Sequence, residues 1–494
     1  MNTAMDKVRA VNLRRSGATM ERRADGSFII RPEEPLEDYP RVLTERLIYW
    51  AGAAPDRALA AKRHAGGPWR YLSYGEALQK VRSLGQAFLD RGLSADRPIA
   101  ILSDNDLEHL LLMFAGQHVG IPTASIAPAY SLVSTDFAKL KHVMKILRPG
   151  MVFVSSSQKY RRALDAAVDS DIEIVFAEEG VVGRNSTSFD DLCGVTPTEA
   201  VDAAYAAIKP DDVAKFLFSS GSTGLPKAVI NTHRMICSNQ QMILQGFRFL
   251  SEAPPIVVDW MPWNHTAGGN HNTGMTVYNG GTLYIDDGRP TSPGIAETVR
   301  NLREIAPTVY FNMPRGYDLL LACFRDDAKL RENFFSRLKF MFYAGAALSQ
   351  PLWDAYRKLM MEACGERILM ATGLGATETS PMHVGFGARR RNWNPDAGRG
   401  SEARAFRGQI GNSGEGPERD AWILARPGTY AARLRRRGLL QIRRCRSVRG
   451  PGGRQQGPFV RWALRGRFQT GVWNVCKRRP LAHQDHPLVC ALCD

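Results

Sequence analysis

Short apolar runs recur along most of the chain. Each is closed by Gly, Pro, Asn or Ser and is followed by a stretch with helical spacing. Pro98–Ser103 reads as a buried strand and Leu107–His118 as a helix. Val119-Gly120-Ile121-Pro122 then turns the chain into another strand. Phe137–Leu147 is predicted helical, and Gly150–Ser155 and Ile172–Ala177 are further buried strands. Residues Arg41 to Arg91 predict two helices around one short strand, Trp69–Tyr74. Tyr49, Trp50 and Ala51 fall on the first helix, and Ser73 caps the second with Glu76 completing a capping box. Downstream, Ile256-Val257-Val258, Val309–Asn312 and Met341–Tyr343 are apolar segments, the last running into the small-residue turn Ala344–Leu348. The strand–helix–strand rhythm predicts an α/β fold with a parallel sheet, and no internal repeat is visible.

The stretch Phe216–Lys227, FLFSSGSTGLPK, departs from this rhythm. An apolar strand opens into a loop of hydroxyls and glycines that closes on Pro226-Lys227. Gly221 and Gly224 permit backbone angles closed to other residues, so amide N–H groups can converge on one point. Ser219, Ser220, Ser222 and Thr223 add hydroxyl donors, and Lys227 adds a cation. Converging donors plus a cation suit a polyphosphate. The spacing is not that of a Walker A loop. The plain alternative is a flexible surface loop rich in Ser and Gly.

Hydrophobic content of 44% and charged content of 23% over 494 residues fit a globular protein with a large core and more than one domain. No run is long and apolar enough to span a membrane. Residues 1–30 open with a basic stretch lacking the apolar core of a secretory signal. They are expected to be a disordered leader, with Met20 as an alternative start. Eight cysteines without a disulfide-like framework suit the cytoplasm. The formal net charge is +16, yet residues 388–494 hold 23 Lys+Arg against 7 Asp+Glu, so the whole excess lies in that segment.

The loop Ser219–Lys227 resembles the phosphate loop of the adenylate-forming enzymes: acyl-CoA synthetases, luciferases and peptide-synthetase adenylation domains. The resemblance runs from about Pro40 to Gly387. PRVLTERLIYWA from Pro40, ILSDNDLEH, PAYSLVSTDFAKLKH from Pro128 and MPWNHTAGGNHN from Met261 look most like bacterial feruloyl-CoA synthetases. The implied fold is the large N-terminal domain of that family (residues 31–387): layered β-sheets with helices and a small β-barrel-like subdomain. The implied substrates are ATP, an aromatic carboxylate and coenzyme A, with Mg²⁺ as cofactor and no nucleic acid.

The resemblance also assigns roles. Lys227 and the loop from Ser219 to Gly224 are placed on the phosphates. His265, otherwise readable as a hydrogen-bonded histidine at a strand end, is placed at the gate of the acyl pocket. Gly345, Ala346 and Ala347 are placed on the adenine, where strand–helix packing alone would also want small residues. In Gly373–Thr379, Gly375 and Thr377 are placed at the α-phosphate, and Glu378, with Thr223, at Mg²⁺. A carboxylate suits that hard cation, though a solvated helix-start charge is the plainer reading. Asn270, His271 and Asn272 near His265 match no known metal-ligand spacing.

After Gly387 the family pattern stops, and three readings compete for residues 388–494. The first is a change of reading frame. Permitted codons for Gln409–Leu424, read one nucleotide later, can give KLEIRVKGPNVTPGYW, which starts with a strand-like alternation and resembles the family. Arg437–Arg446 can likewise give EDFYKSGDAV, and Arg461–Thr470 can give DGRFAEDFKL, like the family's ribose-binding and hinge segments. On this reading the C-terminal domain is absent or non-native and the segment is disordered. The second is a basic nucleic-acid-binding tail built on Arg435-Arg436-Arg437 and Arg443-Arg444. The third is a zinc site at His483-x-x-His486 and Cys490-x-x-Cys493.

Overall fold

The computed structural model describes residues 7–14, 17–22, 28–64, 66–220, 224–379 and 382–386. The chain begins with a hairpin of β1 (Ala18–Arg22) and β2 (Phe28–Pro32). Two sheets follow. Their strands, in chain order, are β3 (Ala58–Arg63), β4 (Trp69–Ser73), β5 (Ile99–Leu102), β6 (Thr123–Ser125), β7 (Met151–Ser156), β8 (Glu173–Glu178), β9 (Ser186–Ser188), β10 (Val213–Ser220), β11 (Pro226–Thr232), β12 (Ile256–Asp259), β13 (Thr282–Ile285), β14 (Val309–Asn312), β15 (Phe340–Tyr343), β16 (Leu369–Gly375) and β17 (Met382–Phe386).

The first sheet has the order β11-β10-β6-β5-β7-β8-β9, parallel except for β11 at its edge. The second has the order β17-β16-β15-β14-β12-β13-β3-β4, parallel except for β17 and β4 at its two edges. Both are the α/β architecture that the strand–helix alternation predicts. No barrel is formed among the described residues. The region Arg41–Arg91 holds two strands and not one. β3 (ALAAKR) is alanine-rich and lacks both alternation and β-branched residues, so nothing local marks it as a strand.

Central strands are buried on both faces, and successive residues feed different cores. Ile99 and Ile101 of β5, Phe153 of β7 and Phe311 of β14 enter a central core between the sheets. That core is shared with the helices Tyr74–Asp90, Leu107–His118 and His233–Gly246. Ala100, Leu102 and Val154 face the helices Ala138–Leu147 and Ser157–Ala167. Tyr310 and Met341 face Pro314–Asp326, Ala328–Ser336 and Gln350–Cys364. The result is helix, sheet, helix, sheet and helix in five layers.

Part of the stretch expected to be a disordered leader takes a defined course. Val8 bridges to Arg367, and the Arg9 guanidinium donates to the carbonyls of Phe335 (2.9 Å) and Leu338 (2.7 Å) while pairing with Glu366 at 2.9 Å. Val11 and Leu13 pack on the central core. Basic residues flanking small apolar ones read as a solvated tail from sequence. Here they cap carbonyls at the end of the helix Ala328–Ser336.

Candidate active site

The phosphate-loop candidate is the tip of a β-hairpin. β10 carries Phe216-Leu217-Phe218 into Ser219 and Ser220, which pair with Lys227 and Pro226 at the start of β11. Gly221, Ser222 and Thr223 lie outside the described residues. Gly224 has φ of +82°, a left-handed angle that a side chain resists. His142 Nε2 lies 3.0 Å from the Pro226 carbonyl oxygen, which ties the base of the loop to the helix Ala138–Leu147.

Facing it are turns that leave the carboxyl ends of adjacent parallel strands, where open α/β sheets bind ligands. Asn312 ends β14 beside Tyr343 of β15, which sits beside Thr372 of β16. The turn after β15 holds Gly345 (φ +84°), Ala346 and Ala347. A Cβ on Gly345 would meet nothing within 4 Å, so backbone angle and not crowding favours glycine there. β16 ends at Gly375, and a short 3₁₀ turn, Thr377–Thr379, follows.

These parts meet through side chains. Lys227 Nζ lies 2.8 Å from Glu378 Oε1, with both side chains roughly two-fifths exposed. Asn231, fully buried on β11, donates through Nδ2 to the Thr377 carbonyl at 3.4 Å. Its Oδ1 accepts from Asn270 Nδ2 at 2.6 Å, and the same Asn270 amide donates to Thr266 Oγ1 at 3.1 Å. One buried amide pair thus joins the Thr377-Glu378 turn to the segment that carries His265.

That segment is not a simple strand end. After β12 and Pro262, residues Ala267–Asn272 form a π-helical turn. Such widened turns are rare and occur often at functional sites. Gly268 and Gly269 allow it. A Cβ on either would sit well inside 3.0 Å of a backbone carbonyl oxygen, that of Met261 or of Trp263. His265 is exposed as a residue, yet the protein packed around its imidazole strips water from it, and that desolvation lowers its pKa. Its Nδ1 accepts from the Ala267 N–H at 3.3 Å. His271 is fully buried, with Nδ1 2.8 Å from Asn272 Oδ1 and its ring against Phe311 and Phe342.

Three residues that sequence motifs did not single out hold the segment in place. Asn105, in the loop after β5, accepts from the Trp263 N–H at 3.0 Å and donates to the Met261 carbonyl at 2.8 Å. Asn231 makes the link already described. Lys215, on β10, donates to the Gly269 carbonyl at 2.6 Å. Its signal was in plain view: one lysine inside an otherwise apolar strand, VAKFLF.

A divalent cation would find one suitable described donor here. Glu378 is an accessible carboxylate, the oxygen chemistry that Mg²⁺ takes. No cluster of three or more His, Cys, Asp or Glu stands together as a metal site among the described residues. No helix among them is long and apolar enough to cross a membrane. The basic runs and the His483–Cys493 cluster lie outside the described residues.

The 4-hydroxybenzoate–CoA/benzoate–CoA ligase of Rhodopseudomonas palustris is 26% identical over 321 residues, covering 64% of this chain and 54% of the relative. The 3-hydroxybenzoate–CoA ligase of Aromatoleum sp. is 24% identical over 312 residues, 63% of this chain and 55% of the relative. A long-chain-fatty-acid–CoA ligase of Xenopus laevis, ACSBG2, is 25% identical over 53% of this chain and 35% of its own length. The chain therefore spans about half the length of such relatives, or less. The solved structure of the anthranilate CoA ligase AuaEII with anthranoyl-AMP superposes with a TM-score of 0.57 at 17% identity, covering 72% of this chain and 62% of that one, a likeness of fold. Residues 49–405 match the family model described as AMP-binding enzyme, and this chain belongs to that family.

Proposed function

We propose that the chain is an acid–thiol ligase that activates an aromatic carboxylate of the ferulate or cinnamate type with ATP and passes it to coenzyme A in the cytoplasm. The observation that carries the reading is the junction at Asn231. It links the turn of Thr377 and Glu378, whose carboxylate pairs with Lys227, to the π-turn behind His265, and this supports reading them as parts of one site. Aryl-CoA ligases among the relatives support an aromatic acid. The fatty-acid ligase at similar identity is the reason to test chain length directly.

In the first half-reaction a carboxylate oxygen attacks the α-phosphorus of ATP. The bond to the bridging oxygen breaks, and pyrophosphate leaves with its electron pair. Lys227 and the amides of Ser219–Gly224 would hold the charge that gathers on the leaving oxygens, and Thr377 would hold the α-phosphate. Mg²⁺, held through Glu378 and Thr223, supplies further charge neutralisation when bound. Gly345, Ala346 and Ala347 would admit the flat adenine. His265 would line the mouth through which the acyl group enters. In the second half-reaction the coenzyme A thiolate attacks the acyl carbonyl and AMP leaves.

Beyond Gly387 the same reading takes the basic segment as an out-of-frame remnant of the hinge and C-terminal domain. The test is carboxylate-dependent exchange of labelled pyrophosphate into ATP. It is run on the 494-residue chain and on a gene carrying a single-base correction at the codons for Phe386–Arg391. Exchange driven by ferulate over palmitate in the corrected protein, and much weaker in the chain as it stands, is the expected result. No carboxylate-dependent exchange in either protein would sink the adenylation reading. Equal rates in both would sink the out-of-frame reading. Salt-sensitive nucleic-acid binding mapped to residues 388–494 would favour a basic binding tail instead.

A further inference from the structure

Lys215 sits where an apolar residue would serve the core better. It lies on β10 between buried Ala214 and buried Phe216 and is 3% exposed. Burying an ammonium costs several kcal/mol unless it is paired, and among the described residues no carboxylate lies within ion-pair distance of it. Burial pushes its pKa down to about 7. Its one strong contact is the 2.6 Å bond to the Gly269 carbonyl, with Met113 Sδ at 3.9 Å. The nearby titratable ring is His109, whose Nδ1 donates to the Asp104 carbonyl and whose Nε2 meets the Ser125 hydroxyl at 2.8 Å. Burial lowers its pKa to about 4, so it adds no charge near neutral pH.

The bond has a particular place in the fold. Gly269 is in the middle of the π-turn, between His265 and the Asn270 that reaches Asn231. Four residues beyond Lys215 on the same strand is Ser219, at the mouth of the phosphate loop. A methionine would fill the same volume without the desolvation cost. What it would lack is a donor for that carbonyl.

We propose that Lys215 is a positioning residue that tethers the π-turn to the phosphate-loop strand, so that the acyl carboxylate and the α-phosphate are presented to each other in register. The tether touches no substrate. It acts through Gly269, and its consequence for ligands rests on the adenylation reading above.

Two measurements on the full chain separate the tether from that reading. Hydrogen exchange without ligand compares the wild type with Lys215→Met and Lys215→Gln. The expected result is faster exchange over residues 265–273 in Lys215→Met, little change elsewhere, and partial recovery in Lys215→Gln, which keeps a donor. Unchanged exchange over that turn in a folded Lys215→Met protein overturns the proposal whatever the chain binds. The second measurement is affinity for a non-hydrolysable feruloyl-sulfamoyl adenosine and for ATP. Lys215→Met should weaken the analogue by about tenfold or more, the size of one lost charge-assisted hydrogen bond. ATP should stay within about twofold. Equal loss for both ligands, or loss of folding in both variants, assigns Lys215 to general stability and overturns the proposal. A wild-type chain that ignores the analogue while its π-turn still loosens in Lys215→Met counts against the adenylation reading alone.

Discussion

The Lys227–Glu378 pair joins two residues that sequence motifs had placed in separate roles, one on phosphate and one on a cation. Both ends are well exposed, so the pair adds little to stability, about 0–1 kcal/mol. Its interest is competition. A polyphosphate offers Lys227 a more highly charged partner than one carboxylate, and a divalent cation offers Glu378 the same. Lys227→Met should therefore leave the melting temperature within about 2 °C. It should also weaken ATP binding by roughly tenfold to a hundredfold, from the loss of a charge-assisted contact. Glu378→Gln should differ in kind: ATP binding without metal is kept or improved, and the gain on adding Mg²⁺ is lost. Calorimetric titration of both variants with and without Mg²⁺ checks this. Metal-dependent binding that survives in Glu378→Gln removes that residue from the cation site.

At the scale of elements, what was legible depended on whether the signal was local. The helix Leu107–His118 and the capping box at Ser73 and Glu76 were plain, because periodicity and capping are written in adjacent residues. The hairpin around the candidate phosphate loop was half legible. The strand Phe216–Phe218 was evident, whereas β11 and its pairing register are long-range facts. The π-turn was not legible. Its cause is Gly268 and Gly269 packing against carbonyls of Met261 and Trp263, whose own course is set by Asn105 from the other sheet. The glycines in MPWNHTAGGNHN are thus required by a backbone approach that no window of sequence displays. Gly269→Ala should cost roughly 1–3 kcal/mol, as overpacking does. Gly246→Ala, which meets nothing within 4 Å and lies at the end of a helix, should be near neutral. Chemical denaturation of the two variants reads the difference, and equal midpoints would refute the crowding argument.

Across the whole molecule, the five-layer arrangement buries polar groups that a single-sheet fold would leave wet, and this sets the response to acid. His109, His118, His233 and His271 are all buried, and burial lowers each pKa to about 4 from an ordinary 6.5. A depressed histidine pKa means that the unfolded chain binds the proton first. The stability these four contribute is present above pH 6.5 and is lost as pH falls through 4. Two buried carboxyls oppose them. Asp259 is pushed up to about 7 and Asp286 is also raised, both by burial, so their protonation favours the fold as pH falls. His265 is lowered in the same way and Glu108 is raised, so five lowered histidines stand against three raised carboxyls, and unfolding takes up protons on balance as pH falls below the ordinary histidine range. Thermal unfolding across that range should show the melting temperature falling steadily with pH. His233→Gln is the sharpest check, because neither ring nitrogen of His233 has a hydrogen-bond partner among the described residues. Removing it should flatten the slope by about one proton, or 1.4 kcal/mol per pH unit, while changing stability at pH 8 far less. A slope unchanged in that variant would remove His233 from the groups whose burial between the layers makes the fold sensitive to acid.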